Sequence, residues 1–188
     1  MAYQIEKLDP AVWKGTAIPV AWTSEYYYDI AVTKTDDGFA VPIEKKKFEQ
    51  PYFHDPNAYE YPDRLYEDWW PCAEAYGVII NGELKAAVEI APEEWSKRFW
   101  MTELFVDEEL RGQGIGRALI DLAKQITKEK NYRALLLEAQ SGNVNAIEFY
   151  LHMGFQLTGF DTCCYSNQDI EKKEVRINLG WLNDEYAV

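Results

Sequence analysis

Cysteine and histidine are scarce in this 188-residue chain, which holds three Cys and two His. Cys72, Cys163 and Cys164 form an odd, sparse set. That excludes a disulfide-stapled secreted scaffold and fits a reducing compartment. No metal-ligand spacing exists among the cysteines, and His54 and His152 lie far apart, so no metal site is expected. Basic residues are also in deficit. Lys and Arg number 19 against 32 Asp and Glu, a net charge of −13. Such a field disfavours nucleic acid and anionic membrane as partners and suits a cationic substrate. No run reaches transmembrane length, and the opening MAYQIEKLDP lacks the apolar stretch of a signal peptide. There is no internal repeat and no Gly/Ser linker. The expectation is a soluble, cytoplasmic protein forming one domain over residues 1–188.

What is abundant is apolar and aromatic. Hydrophobic residues make up 47% and aromatics 15%, enough at this length for a core without staples. One stretch differs in character from the rest. QPYFHDPNAYEYPDRLYEDWWPCAEA, residues 50–75, is rich in Tyr, Trp, Pro and acids, with Arg64 its only base. It reads as a packed insertion (51–75) or a wall of a site, cut into short pieces by proline, with a helix expected near residues 63–70. Its aromatics Tyr59, Tyr61, Tyr66, Trp69 and Trp70, with Trp95 and Trp100, have three readings. They are core, a contact in a homodimer, or a pocket that holds a cation over its rings beside Asp63, Glu67 and Asp68.

From Tyr76 the pattern is regular. YGVII and LKAAVEI flank Asn81-Gly82, a strong signal for a tight hairpin. FWMTELFV, residues 99–106, reads as a further strand. RGQGIG, residues 111–116, opens a helix whose apolar positions Ile115, Leu119, Leu122 and Ile126 fall at helical spacing; it ends near Lys130-Asn131. RALLLE, residues 133–138, has the continuous apolar character of a buried strand. A short helix over 143–153 stops at Gly154, and strands are expected over 155–160 and 175–179. This is an α/β layout. The first half is less regular: 5–7 and 26–33 read as strands, 39–47 as strand or loop.

The chemistry concentrates where strand 99–106 passes through the acidic DEEL into RGQGIG. Glycines at 112, 114 and 116 let backbone N–H groups approach a ligand closely. Unpaired N–H groups at a helix N-terminus, helped by the dipole, bind phosphate. The loop is no Walker A motif, having no Gly-Lys-Ser/Thr. It is no dinucleotide fingerprint either, since Arg117 stands where the third glycine belongs. On the residues alone it is a diphosphate cradle or a glycine-rich turn before an ordinary helix.

With its context this segment resembles the GNAT superfamily of acyl-CoA-dependent N-acyltransferases. The family's Arg/Gln-x-x-Gly-x-Gly/Ala signature stands as Arg111, Gly112, Gln113, Gly114, Ile115 and Gly116. The Asn-x-x-Ala…Tyr…Gly-Phe pattern stands as Asn143, Ala146, Tyr150, Gly154 and Phe155. The clearest match covers residues 76–179. The resemblance implies a mixed, strongly bent central sheet with helices on both faces. It implies acetyl-CoA as cosubstrate, direct attack of a primary amine on the thioester, and no metal. Leu104, Phe105 and Val106 would pair with the pantetheine arm, and the N–H of Phe105 would stabilise the oxyanion. Residues 111–117, ending at Arg117, would hold the pyrophosphate. Asn143 and Ala146 would contact pantetheine. Tyr150 would protonate the departing thiolate, where the residue alone reads as a core aromatic.

A narrower resemblance is to the streptothricin acetyltransferases, carried by LEAQSGNV (137–144), GFQLTGFD (154–161), Tyr165, the VEI at 88–90 and Glu103. It implies a cationic small-molecule amine as acceptor and a role in antibiotic resistance. Glu89 and Glu103 lie in apolar strands and read either as solvent-facing or as a general base. Glu103 is preferred as base because its strand would pair with the cofactor arm, and Glu89 would be a counter-charge for the acceptor. Two rival readings remain: an acetyltransferase acting on protein lysines or N-termini, and a non-catalytic acyl-CoA sensor.

Overall fold

The computed structural model describes residues 3–55 and 62–186; Tyr59 and Tyr61 of the aromatic insertion lie outside these. Eleven strands and four α-helices are present among the described residues. A seven-stranded mixed sheet has the order β1 (Glu6–Leu8), β6 (Glu74–Ile80), β7 (Glu83–Glu93), β8 (Arg98–Val106), β9 (Ala134–Gln140), β11 (Arg176–Leu182), β10 (Gln156–Asp161), and two further two-stranded sheets pair β2 (Trp22–Ile30) with β5 (Ile43–His54) and β3 (Thr33–Thr35) with β4 (Gly38–Ala40). The chain falls into two compact units, one of residues 1–20, 56–137 and 180–188 and one of residues 21–55 and 138–179. Among the described residues no helix is long and apolar enough to cross a membrane.

The first unit is built on a meander. β1 (Glu6–Leu8) pairs with β6 (Glu74–Ile80), which turns through Asn81-Gly82 into β7 (Glu83–Glu93). Both turn residues have positive φ, 53° and 83°, as a type I′ hairpin requires. Gly77 is needed in β6 because a Cβ there would lie 2.5 Å from the carbonyl oxygen of Ala86. β7 pairs antiparallel with β8 (Arg98–Val106), and β8 pairs parallel with β9 (Ala134–Gln140). Between β8 and β9 runs α2 (Ile115–Glu129), whose buried side chains Ile115, Leu119, Ile120, Ala123 and Ile126 pack it on β7 and β8. A second apolar cluster joins Leu8, Ile18, Leu65, Tyr66, Ala75 and Ala87, with Phe105 packed against it. The short α1 (Pro10–Trp13), capped by Asp9, precedes this packing.

The helix expected near residues 63–70 is absent, and its backbone groups show why. The N–H of Ile18 bonds the carbonyl of Asp63, and the N–H of Leu65 bonds that of Thr16. Arg64 bridges Ala17 in antiparallel fashion, and Tyr66 and Cys72 both take φ 59°. These groups are committed to the segment at residues 16–18, so no i to i−4 ladder can form. Tyr66 is the pivot. Its hydroxyl donates to the carbonyl of Leu8 at 2.5 Å and accepts the N–H of Ala75 at 3.1 Å.

The second unit holds the long hairpin of β2 (Trp22–Ile30) and β5 (Ile43–His54). Residues 39–47, open between strand and loop, prove to be the end of β4 (Gly38–Ala40), paired with β3 (Thr33–Thr35), and the start of β5. An aromatic row lines the hairpin. Trp22 stacks on His54 at 5.0 Å, and Tyr52 lies 5.5 Å from both Trp22 and Phe48. The N–H of Tyr28 bonds the carbonyl of Ser141 at 2.8 Å. Gly142 has to be small, because a Cβ would meet Trp22 and the carbonyl of Lys173 at 3.0 Å each. α3 (Val144–His152) follows, ended by Gly154 at φ 82°. β10 (Gln156–Asp161), the short α4 (Asp169–Lys172) and β11 (Arg176–Leu182) complete the chain. α4 and α1 have only four residues each, too short to leave a periodic signal.

Glu74 ties the meander together, pairing with Lys7, with Lys130 beyond α2, and with the hydroxyl of Tyr76. Burial works to raise its pKa, but the two lysines and the phenol hold the carboxyl down at about 2. A carboxyl with a lowered folded pKa stabilises the fold above its ordinary value of 4.5, and that stabilisation fades as pH falls towards about 2. Glu74→Gln should therefore be less stable than wild type at about pH 6, with the gap closing towards about pH 2. Urea unfolding across that range checks this; a gap that does not change with pH would contradict it.

Candidate active site

The site begins where two strands part. β8 pairs with β9 only over Arg98, Phe99 and Trp100, matched to Ala134, Leu135 and Leu136. Its pairing with β7 continues to Val106, opposite Ala86. The register slips at one point, because Glu89 faces Glu103 while Ile90 faces Met101. Thr102 is the extra residue, a bulge that bends β8 where β9 leaves it.

Beyond the bulge, ladder alternation decides which amides face the vacated edge. The N–H of Asp107 donates to the carbonyl of Lys85 at 2.8 Å. In an antiparallel ladder every second residue turns inward, so Phe105 bonds Ala87, and Leu104 and Val106 turn outward. The carbonyl of Val106 agrees, accepting Nε of Arg111 at 3.2 Å. The expected oxyanion donor, the N–H of Phe105, is thus directed at β7. Leu104 and Val106 are the residues whose N–H groups point outward.

Arg111 joins this strand to the glycine loop. A 3₁₀ turn over Glu108–Leu110 is capped by Asp107, whose side chain accepts the N–H of Glu109 at 3.1 Å. The N–H of Glu109 and the ammonium of Lys85 hold the Asp107 carboxyl below its ordinary range. Gln113 Nε2 donates to the carbonyl of Glu109 at 3.0 Å. Gly112 and Gly114 have φ of 74° and 82°, and nothing lies within 4 Å of where a Cβ would stand on either. The first bond of the α2 ladder runs from the N–H of Ala118 to the carbonyl of Gly114. The amides of Ile115, Gly116 and Arg117 precede it, and no side chain caps this N-terminus. An open glycine surface ending in unsatisfied donors fits an anionic diphosphate.

Glu89 is fully buried. Its Oε2 accepts the N–H of Tyr66 at 2.6 Å and its Oε1 the hydroxyl of the bulge residue Thr102 at 2.9 Å. Burial pushes its pKa up, against the pull of these two donors. Its cross-strand partner Glu103 is only half-buried. Thr102 was not among the expected site groups, and Tyr66 was expected only as a core, dimer-contact or cation-pocket aromatic, not as a backbone donor to Glu89. The signal for Thr102 was a polar pair, Thr-Glu, inside an otherwise apolar strand.

The remaining expected residues lie in the second unit. Asn143 caps α3, its Oδ1 accepting the N–H of Ala146 at 3.2 Å. Tyr150 is on the buried face of α3 with Val144 and Ile147, and its ring contacts Phe149 and Phe155. Here Tyr165 donates to Glu138 at 2.9 Å, and Glu138 pairs with Arg176. Arg176 Nη1 lies 3.5 Å from the sulfur of Cys164. All three cysteines are free and exposed. Among the described residues no group of three or more His, Cys, Asp or Glu gathers to hold a metal.

Known proteins resemble this chain in sequence and fold. A streptothricin acetyltransferase from Escherichia coli is 28% identical over 108 residues, 57% of this chain and 62% of that protein. The aligned stretch thus spans less than two thirds of that relative. The solved nourseothricin acetyltransferase superposes over 97% of this chain and 99% of its own at 25% identity, with a TM-score of 0.72. A solved Bacillus anthracis protein in complex with acetyl coenzyme A covers 98% of this chain and 100% of its own. Its TM-score is 0.73 at 21% identity, a likeness of fold. The family model for the acetyltransferase (GNAT) family matches residues 42–155, more than half of the sequence, and this chain belongs to that family.

Proposed function

We propose that this protein transfers the acetyl group of acetyl-CoA to a primary amine of a cationic small molecule such as streptothricin. The observation that carries this reading is the outward edge of β8 leading into the uncapped glycine turn of α2. Acetyl-CoA supplies the activated acyl group. The chain's own groups do the rest. Leu104 and Val106 offer backbone donors and acceptors to the pantetheine arm, and Phe105 fixes their register through β7. Residues 111–117 offer amides and the Arg111 and Arg117 guanidiniums to the diphosphate, and Asn143 and Ala146 meet the pantetheine. Glu103 takes a proton from the ammonium acceptor, directly or through water. The amine nitrogen then bonds the acyl carbon while an outward N–H of β8 holds the developing oxyanion. As the carbon–sulfur bond breaks, the Tyr150 hydroxyl gives its proton to sulfur, and the second proton of the attacking nitrogen passes through water to restore the phenol, leaving a neutral amide and free CoA. The full burial of Glu89 supports leaving the base role to Glu103.

The acceptor is inferred from three supports. The net charge of −13 draws cations, the acidic aromatic segment offers rings and carboxylates, and relatives are named as streptothricin and nourseothricin acetyltransferases. Acetyl-CoA as cosubstrate and three free cysteines support a cytoplasmic location.

Cofactor binding is tested in the loop. Gly114→Glu or Gly116→Glu puts bulk and negative charge against the diphosphate and should abolish CoA binding. Arg111→Ala should weaken it less, because the amides do most of the holding. Calorimetry with unchanged affinity in both glycine variants would remove the cradle.

Tyr150→Phe keeps the ring and loses the proton. Its kcat should fall by about 10²-fold with little change in CoA affinity. A kcat within about twofold of wild type would mean that the thiolate leaves without Tyr150.

Glu103→Gln should lower kcat/KM for streptothricin at neutral pH and recover part of it at high pH, where free amine is plentiful. An unchanged pH–rate profile would take the base role from Glu103. Acetylation of peptide amines but not of streptothricin would replace the acceptor. CoA binding without thiol release from any amine would leave a sensor.

A further inference from the structure

Among the described residues Glu89 is the one fully buried carboxylate beside the proposed cofactor strand, and the chemistry proposed above does not use it. Each of its oxygens has a donor from a different element: Tyr66 N–H at 2.6 Å and Thr102 Oγ1 at 2.9 Å. Thr102 is where the β7–β8 register slips, two residues after the last β8–β9 pair. Tyr66 is anchored in turn through its hydroxyl to Leu8 and Ala75. The carboxylate therefore grips the bulge from one side and a fixed loop from the other. A bulge left to itself can shift by one residue, and a one-residue slip would turn the Leu104 and Val106 amides inward and Phe105 outward.

We propose that Glu89 is a positioning residue: with Thr102 and Tyr66 it locks the β8 bulge and so sets which amides the outward edge presents to acetyl-CoA. This rests on the reading that the edge binds the cofactor. It makes the Tyr66 segment of the acidic aromatic stretch a brace for the cofactor strand. The raised pKa of Glu89 agrees with a group whose hydration has been given up for fixed donors.

The test removes the hydroxyl and keeps the shape. Thr102→Val should weaken CoA binding by about fivefold, the factor carried by one hydrogen bond of average worth. It should also speed amide exchange at Tyr66, because the carboxylate loses its second anchor. Thr102→Ser should restore both to within about twofold of wild type, which lost methyl packing alone would not allow. Wild-type CoA affinity in Thr102→Val, with Gly114→Glu still unable to bind, would overturn the lock and leave the cofactor site standing. Serine behaving like valine would overturn it as well. No CoA affinity in the wild type would overturn the cofactor reading and this inference together.

Discussion

A backbone amide that loses its strand partner must find another donor or acceptor, and at β8 that constraint organises the first unit. β9 leaves β8 after Trp100, yet β8 stays paired with β7 as far as Val106. Its outward groups are left for water, for the Arg111 side chain on the Val106 carbonyl, or for a ligand that imitates a strand. A pantetheine arm carries two amides and is such a ligand. The glycine turn that follows continues the same provision, offering N–H groups that α2 cannot satisfy itself. Strand edge and helix start thus present one run of backbone donors, and the side chains around them serve to keep that run in place.

The burial of Glu89 shows what keeping it in place costs. An ionised carboxylate removed from water is strongly disfavoured unless donors replace its hydration. Two donors are supplied, each worth about 1.5–3 kcal/mol to a charged acceptor. The direction of its pKa shift shows that they do not fully offset the loss of water. Apolar packing of the same volume would be cheaper, so the group is retained for where it holds Thr102. Glu74 is the opposite case: only partly exposed but flanked by two lysines, it stabilises the meander outright.

Much of this was legible in the sequence where local rules are strong. Asn81-Gly82 specified the hairpin, the spacing of Ile115, Leu119 and Ile126 specified α2, and Gly154 ended α3. The glycine loop was found from its composition and its place between strand and helix. What was not legible depends on partners distant in sequence. The segment at 63–70 carries a helical composition, but its backbone is spent on residues 16–18 and on Glu89. The outward direction of the Leu104 and Val106 amides follows from a one-residue slip between strands, which no residue type announces. Glu89 looked like a solvent-facing or catalytic acid, because only Tyr66 and Thr102, far from it in sequence, show that it is enclosed.

The central claim is that the β8 edge and the glycine turn together hold acetyl-CoA. Amide hydrogen exchange of the whole chain with and without acetyl-CoA tests it most directly. The account predicts added protection at Leu104 and Val106 and across residues 112–117, with little change at Phe105, whose amide already bonds β7. Protection confined to other segments, or none at these amides under saturating acetyl-CoA, would contradict it.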